Sequence, residues 1–210
     1  MSEAACAGLI VADAPDVAAA IAAALGPEMR VTLRSDVPRP NESQDDMPAA
    51  AKFLEEYWRM AVQDFVREHA RLDVLVTVLP PAPSGGVRDL SLAAFHRRQL
   101  QHIVHPWLGL KHASAAMKLT GGALITVGDL APVPGDVARA TAARALANMM
   151  QGLALECSGS TPPIRVTWVE AHTMARQTAE VAAAVKLLAS SRSSFMTGTN
   201  LVLREVTHGR

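Results

Sequence analysis

Val74-Leu75-Val76-Thr77-Val78-Leu79 is a continuous apolar run bounded by polar residues before it and prolines after it. It is too short for a helix of ordinary length, and it lacks the polar alternation of a strand with one wet face. It is therefore expected to be a strand covered on both faces. Strands are also expected at residues 7–11, 29–33, 123–127, 164–169 and, briefly, 201–203. Between these runs the spacing turns helical: 17–25, closed by Gly26-Pro27; 48–69, with Phe53, Tyr57, Met60, Ala61 and Phe65 along one side; 92–118, with Pro106 inside it; 136–156; and 178–190. Residues 35–47, 80–89 and 128–135 carry the prolines, glycines and polar residues of loops. Buried strands alternating with helices give a parallel sheet with right-handed crossovers. The expectation is a three-layer, doubly wound α/β domain spanning residues 1–210.

Composition narrows the function. Twenty basic residues balance twenty acidic ones, and half of the 210 residues are apolar. Without a basic excess or stripe, nucleic-acid binding is not expected. The apolar runs are too short to span a bilayer, and Met1–Cys6 carries Glu3 and no basic cluster, so a cytoplasmic protein is expected. Cys6 and Cys157 lie far apart and form no metal spacing or disulfide framework.

Five segments, in order, resemble the short-chain dehydrogenase/reductase family. Leu72-Asp73-Val74-Leu75-Val76 is similar to its central strand. Gly122-Ala123-Leu124-Ile125-Thr126-Val127 is similar to the strand that ends at the catalytic serine. Ala143-Arg144-Ala145-Leu146, continuing to Leu155-Glu156, resembles the helix carrying the Tyr-x-x-x-Lys motif. Ile164-Arg165-Val166-Thr167 resembles the next strand. Residues 185–191 and Phe195-Met196-Thr197-Gly198 resemble the C-terminal helix and its Thr-Gly turn. The resemblance implies a Rossmann-like fold, here truncated, and assembly through two long helices.

Against that family the departures are systematic. The glycine-rich turn that lets a dinucleotide pyrophosphate approach the backbone is Ala12-Asp13-Ala14-Pro15-Asp16, with no glycine and two carboxylates. The catalytic tyrosine and lysine align with Ala140 and Arg144, the serine with Gly128 beside Asp129, and the helix asparagine with His105. Tyr57, the chain's one tyrosine, lies on another helix. The Asn-Asn-Ala-Gly stretch appears as Thr77-Val78-Leu79-Pro80, the Pro-Gly turn as Ala171-His172, and the tail as Arg204-Glu205-Val206. The segment over 35–47 replaces a strand and helix, and residues 174–177 replace a substrate lid. No catalytic and no cofactor-binding residue is therefore expected in this chain.

The remaining candidates are weaker. His102, His105 and His112 share one side of a predicted helix, but no carboxylate or cysteine completes a metal set, so no metal is expected. Ser84-Gly85-Gly86 lacks the ending of a phosphate loop. Arg97-Arg98, Arg139 and Arg144 are expected to be solvated. Trp107, Leu110, Met149 and Met150 are expected to form an interface, where methionines adapt well. The resemblance then implies a catalytically inactive subunit that assembles, as a hetero-oligomer, with a complete paralogue carrying NAD(P), or alternatively with itself. Two other readings stand beside it: an enzyme rebuilt around His105, with Asp129 or Arg144, and a small-ligand-binding protein using the vacated cleft.

Overall fold

The computed structural model describes residues 6–37, 47–80, 86, 88–130, 135–172 and 174–204. The expected loops over 35–47, 80–89 and 128–135, the Ser84-Gly85 pair and the Glu205-Val206 tail fall partly or wholly outside them.

Six parallel strands form one sheet: β1 (Ala7–Ala12), β2 (Arg30–Arg34), β3 (Val74–Val78), β4 (Gly122–Gly128), β5 (Ile164–Ala171) and β6 (Thr199–Leu203). Their order is β2-β1-β3-β4-β5-β6. Every residue of β1 and β3 is buried, as the continuous apolar runs require. The register sets Ile10 beside Val76 and Val76 beside Ile125. The sheet order reverses between β1 and β3, so the crevice of a doubly wound sheet opens at their carboxyl ends.

Helices α1 (Pro15–Leu25) and α6 (Thr178–Ala189) cover one face of the sheet. On the other lie α2 (Met47–His69), α4 (His105–Ala116) and α5 (Val137–Glu156), with α3 (Leu92–Gln99) leading into α4. Pro15 opens α1, where its missing N–H costs nothing. Asp136 caps α5 by accepting from the Arg139 N–H at 3.0 Å. The guanidinium of Arg165 on β5 donates to the carbonyls of Leu188 and Ser193, at 2.6 and 3.3 Å, and so ties the sheet to the end of α6.

The single helix expected over 92–118 is instead two α-helices joined by a π-turn, Leu100–Val104, with a 3₁₀ turn at Met117–Leu119. Pro106 has no N–H to give the α-register. The His105 N–H donates one residue further back, to Leu100 O, and the chain absorbs an extra residue without breaking.

Trp58, fully buried, holds α2 to α4. A Cβ on Gly109 would lie 2.8 Å from its Cζ2 and Cη2, so only glycine admits the indole at this depth. Gly109→Ala is expected to destabilise the protein by about 1–3 kcal/mol through overpacking, read as a lower denaturant midpoint. A second change, Trp58→Phe, should recover part of that loss.

Candidate functional site at the carboxyl ends of the strands

The turn after β1 brings Ala12, Asp13, Ala14, Pro15 and Asp16 to the amino end of α1. Ala14 occupies the cap position without a side-chain hydrogen bond, and Asp16 lies in the first turn. None of these residues takes a positive φ. The Asp13 N–H donates to Val78 O at 3.3 Å, which holds the turn against β3. A dinucleotide pyrophosphate would meet two carboxylates and alanine Cβ atoms here. The residues present do not fit that group.

Tyr57 of α2 stands near the same end. Burial pushes its phenol well above the ordinary range, and Asp36 pushes the same way while Arg34 opposes. A phenol held protonated in this way is a poor proton acceptor.

The histidines separate. His102, 1% exposed, sets Nε2 3.1 Å from Pro80 O at the end of β3 and Nδ1 3.1 Å from Arg98 O. Burial holds its imidazole below the usual histidine range. His105, expected at the family's asparagine position, packs on Trp58 with ring centroids 5.1 Å apart, and its Nε2 has no hydrogen-bond partner among the described residues. The π-turn thus gives His102, not His105, the contact with the strand end. His112 lies half-buried between α2 and α4, farther along the helix. Among the described residues no cluster of histidine, cysteine or carboxylate side chains is arranged to hold a metal ion.

At the end of β4, Gly128 is buried, and a Cβ on it would lie 2.9 Å from Cη2 of Trp168. The indole occupies the space below the position aligned with the catalytic serine. Ala140 is half-buried on α5, and Arg144 is exposed. Arg139 behaves differently from Arg144. Its guanidinium forms a short ion pair with Asp129, and these side chains are only 12% and 22% exposed. Burial raises the Asp129 carboxyl above its ordinary value, while Arg139 and His172 pull it down. Arg98 of α3 lies 4.0 Å from Asp136 at the start of α5. Charged side chains therefore line the end of β4 and the start of α5. A strand-end aspartate followed by an arginine in the next helix's first turn was the available sequence signal.

The interface residues divide as well. Trp107 is 46% exposed. Met149 and Leu153 line a groove of about 510 Å³ between α4 and α5, with Trp107, Lys111 and Glu156 at its rim. Leu110 forms its floor but is 1% exposed. Met150, expected beside it, is instead a core residue, its sulfur 3.8 Å from Thr126 Oγ1. Successive helix residues differ by about 100° in direction, so Met149 and Met150 cannot share a face.

The fold and this strand-end crevice define a doubly wound α/β protein of the Rossmann type. A short-chain dehydrogenase/reductase double mutant from Serratia marcescens superposes with a TM-score of 0.77 at 22% identity, over 95% of each chain. A dehydrogenase/reductase from Sinorhizobium meliloti gives 0.74 at 21% identity, over 96% of this chain and 94% of that one. In sequence the chain is 30% identical, over 169 residues, to trans-4-hydroxycyclohexanecarboxylate dehydrogenase of Sinomonas cyclohexanicum. That match takes in 70% of this chain and spans 65% of the relative's length. No family model matches the chain. These likenesses show that the chain has the fold of the short-chain dehydrogenase/reductase structures. Among the described residues no helix is long and apolar enough to cross a membrane.

Two outcomes are expected. Asp129→Asn leaves the Arg139 guanidinium without its anion and should cost about 1–3 kcal/mol in chemical denaturation, with Arg144→Ala as a neutral control. Burial also pushes the His105 imidazole down to about 4. The unfolded chain then binds the proton more tightly, so stability should fall as pH drops from about 6.5, the free imidazole value, toward that lowered value. His102, shifted in the same direction, adds to this slope. In His105→Phe the slope of denaturation free energy against pH should flatten by up to one proton.

Proposed function

We propose that the chain is a non-catalytic member of the short-chain dehydrogenase/reductase family that assembles with a complete, NAD(P)-carrying paralogue and supports that partner's oxidoreductase activity. One observation carries the reading: where the chemistry needs a serine and a tyrosine, Gly128 stands over Trp168, and Ala140 sits beside the Asp129–Arg139 ion pair. Asp13 and Asp16 at the amino end of α1 support a chain without a dinucleotide of its own, since a second anion there would be repelled.

The α4/α5 groove supports assembly. It offers an apolar centre of Leu110, Met149 and Leu153, with a cation and an anion, Lys111 and Glu156, on its rim. Lys111 lies over the Trp107 ring, 5.3 Å from its centroid, and pairs with Glu55 at 2.5 Å, which fixes the indole on the surface. Buried aromatic anchors of this kind carry much of the energy of subunit contacts. A second reading, a small-ligand-binding protein, draws support from Arg139 Nε and Asp136 Oδ2, which are buried without partners on neighbouring side chains.

Native mass spectrometry of the protein purified from its own cells tests the assignment. The expected species is a mixed oligomer with a larger paralogue that carries one dinucleotide per larger subunit. Met149→Asp should dissociate it and lower the partner's activity. A homo-oligomer alone, or a dinucleotide bound to this chain, overturns the proposal.

A further inference from the structure

The outer edge of β2 is not used by this reading, and it is built for a different contact. β2 ends the sheet. The Arg30 N–H donates to Cys6 O, next to β1, at 2.8 Å. Backbone groups in a parallel pair alternate sides along a strand. Arg30, Thr32 and Arg34 therefore turn their N–H and C=O groups toward β1, and Val31 and Leu33 turn theirs outward. Among the described residues no backbone group bonds to these outward pairs.

Apolar side chains stand on both faces beside this edge, and Arg30 and Arg34 begin and end the strand. Leu33, on the face of Val31 and opposite to α2, is 41% exposed. On α2, Phe53 and Met60 are 60% and 49% exposed. They flank Tyr57 at helical spacings of four and three, and Met60 lies one turn before Asp64. Asp64 reaches Arg34 at 3.9 Å, and His69 bonds Thr32 Oγ1 at 3.1 Å, so this side of α2 runs along β2. Arg30 is exposed and forms no ion pair among the described residues, and the Arg34–Asp64 contact is long.

We propose that the β2 edge is a docking site for an extended acidic segment of another protein. The segment adds a strand beside β2, with carboxylates four residues apart against Arg30 and Arg34. Those two guanidinium groups lie on one face, about 13 Å apart along the strand. Main-chain bonds to Val31 and Leu33 would supply affinity, and the two charges would supply selection. The occupant is not a second copy of β2. An antiparallel pair centred on Thr32 would set each Arg30 against the other copy's Arg34, and like charges directly opposite destabilise a sheet.

The test uses the whole chain and a fluorescein-labelled peptide, Gly-Glu-Val-Thr-Val-Glu-Gly, whose core reads alike in both directions. Anisotropy at low salt should show saturable binding, and the same peptide with lysine for glutamate should bind roughly ten-fold more weakly. The double variant Arg30→Glu/Arg34→Glu should reverse that preference. Leu33→Pro removes an outward N–H that the sheet does not use, so circular dichroism should be unchanged and binding lost. If Leu33→Pro fails to fold, the charge-reversal variant decides alone. Equal binding of both peptides, no binding of the acidic one, or an unchanged preference in the reversed variant each overturns the proposal. Assembly with a paralogue is scored separately and survives any of these results.

Discussion

A strand buried on both faces must be covered on both faces, and the rest of the molecule follows from that constraint. β1 and β3 have no wet side, so two helical layers are obligatory. On one side α1 and α6 meet the requirement with short, alanine-rich helices. On the other, α2 has to seat against α4 closely enough to leave no gap, and Trp58 against Gly109 achieves it. That seat fixes the roll of α4. It turns His105 into the layer beneath α2 and Trp107 out toward the α4/α5 groove. The inward His105 and the outward Trp107 are thus oriented together by one packing contact between α2 and α4.

The fold was legible because hydrophobic continuity is a local property. Residues 74–79 announce a doubly covered strand whatever surrounds them, and the alternation with helices leaves little choice of topology. The site was less legible because it depends on relative rotation. One extra residue in the π-turn decides that His102 and not His105 reaches Pro80 O. One step of helical rotation decides that Met149 lines a groove while Met150 fills the core. Asp129 and Arg139 lie in separate elements and are joined only by the way α5 docks on the end of β4. In the sequence Arg139 and Arg144 read alike as solvated cations, and only packing tells them apart.

The crevice is lined by charge. Asp129 pairs with Arg139, and Arg98 lies 4.0 Å from Asp136, in a poorly solvated place where Arg139 Nε and Asp136 Oδ2 keep no partner among the described residues. Burying an ion pair usually adds little net stability over an apolar filling, yet leaving one member alone is costly. Such a pair is therefore hard to remove one residue at a time. It holds the start of α5 against the end of β4.

The indole of Trp168 ties the choices at two positions together. With that ring beneath Gly128, a side chain at residue 128 has no room until residue 168 becomes smaller. A smaller residue 168 without a new side chain at 128 leaves a void in the core, and voids are destabilising in proportion to their size. Either change made alone costs stability that only the other restores. Two adjacent strands thus lock each other's side chains, and residues 128 and 168 behave as one unit that tolerates paired exchange better than single substitution.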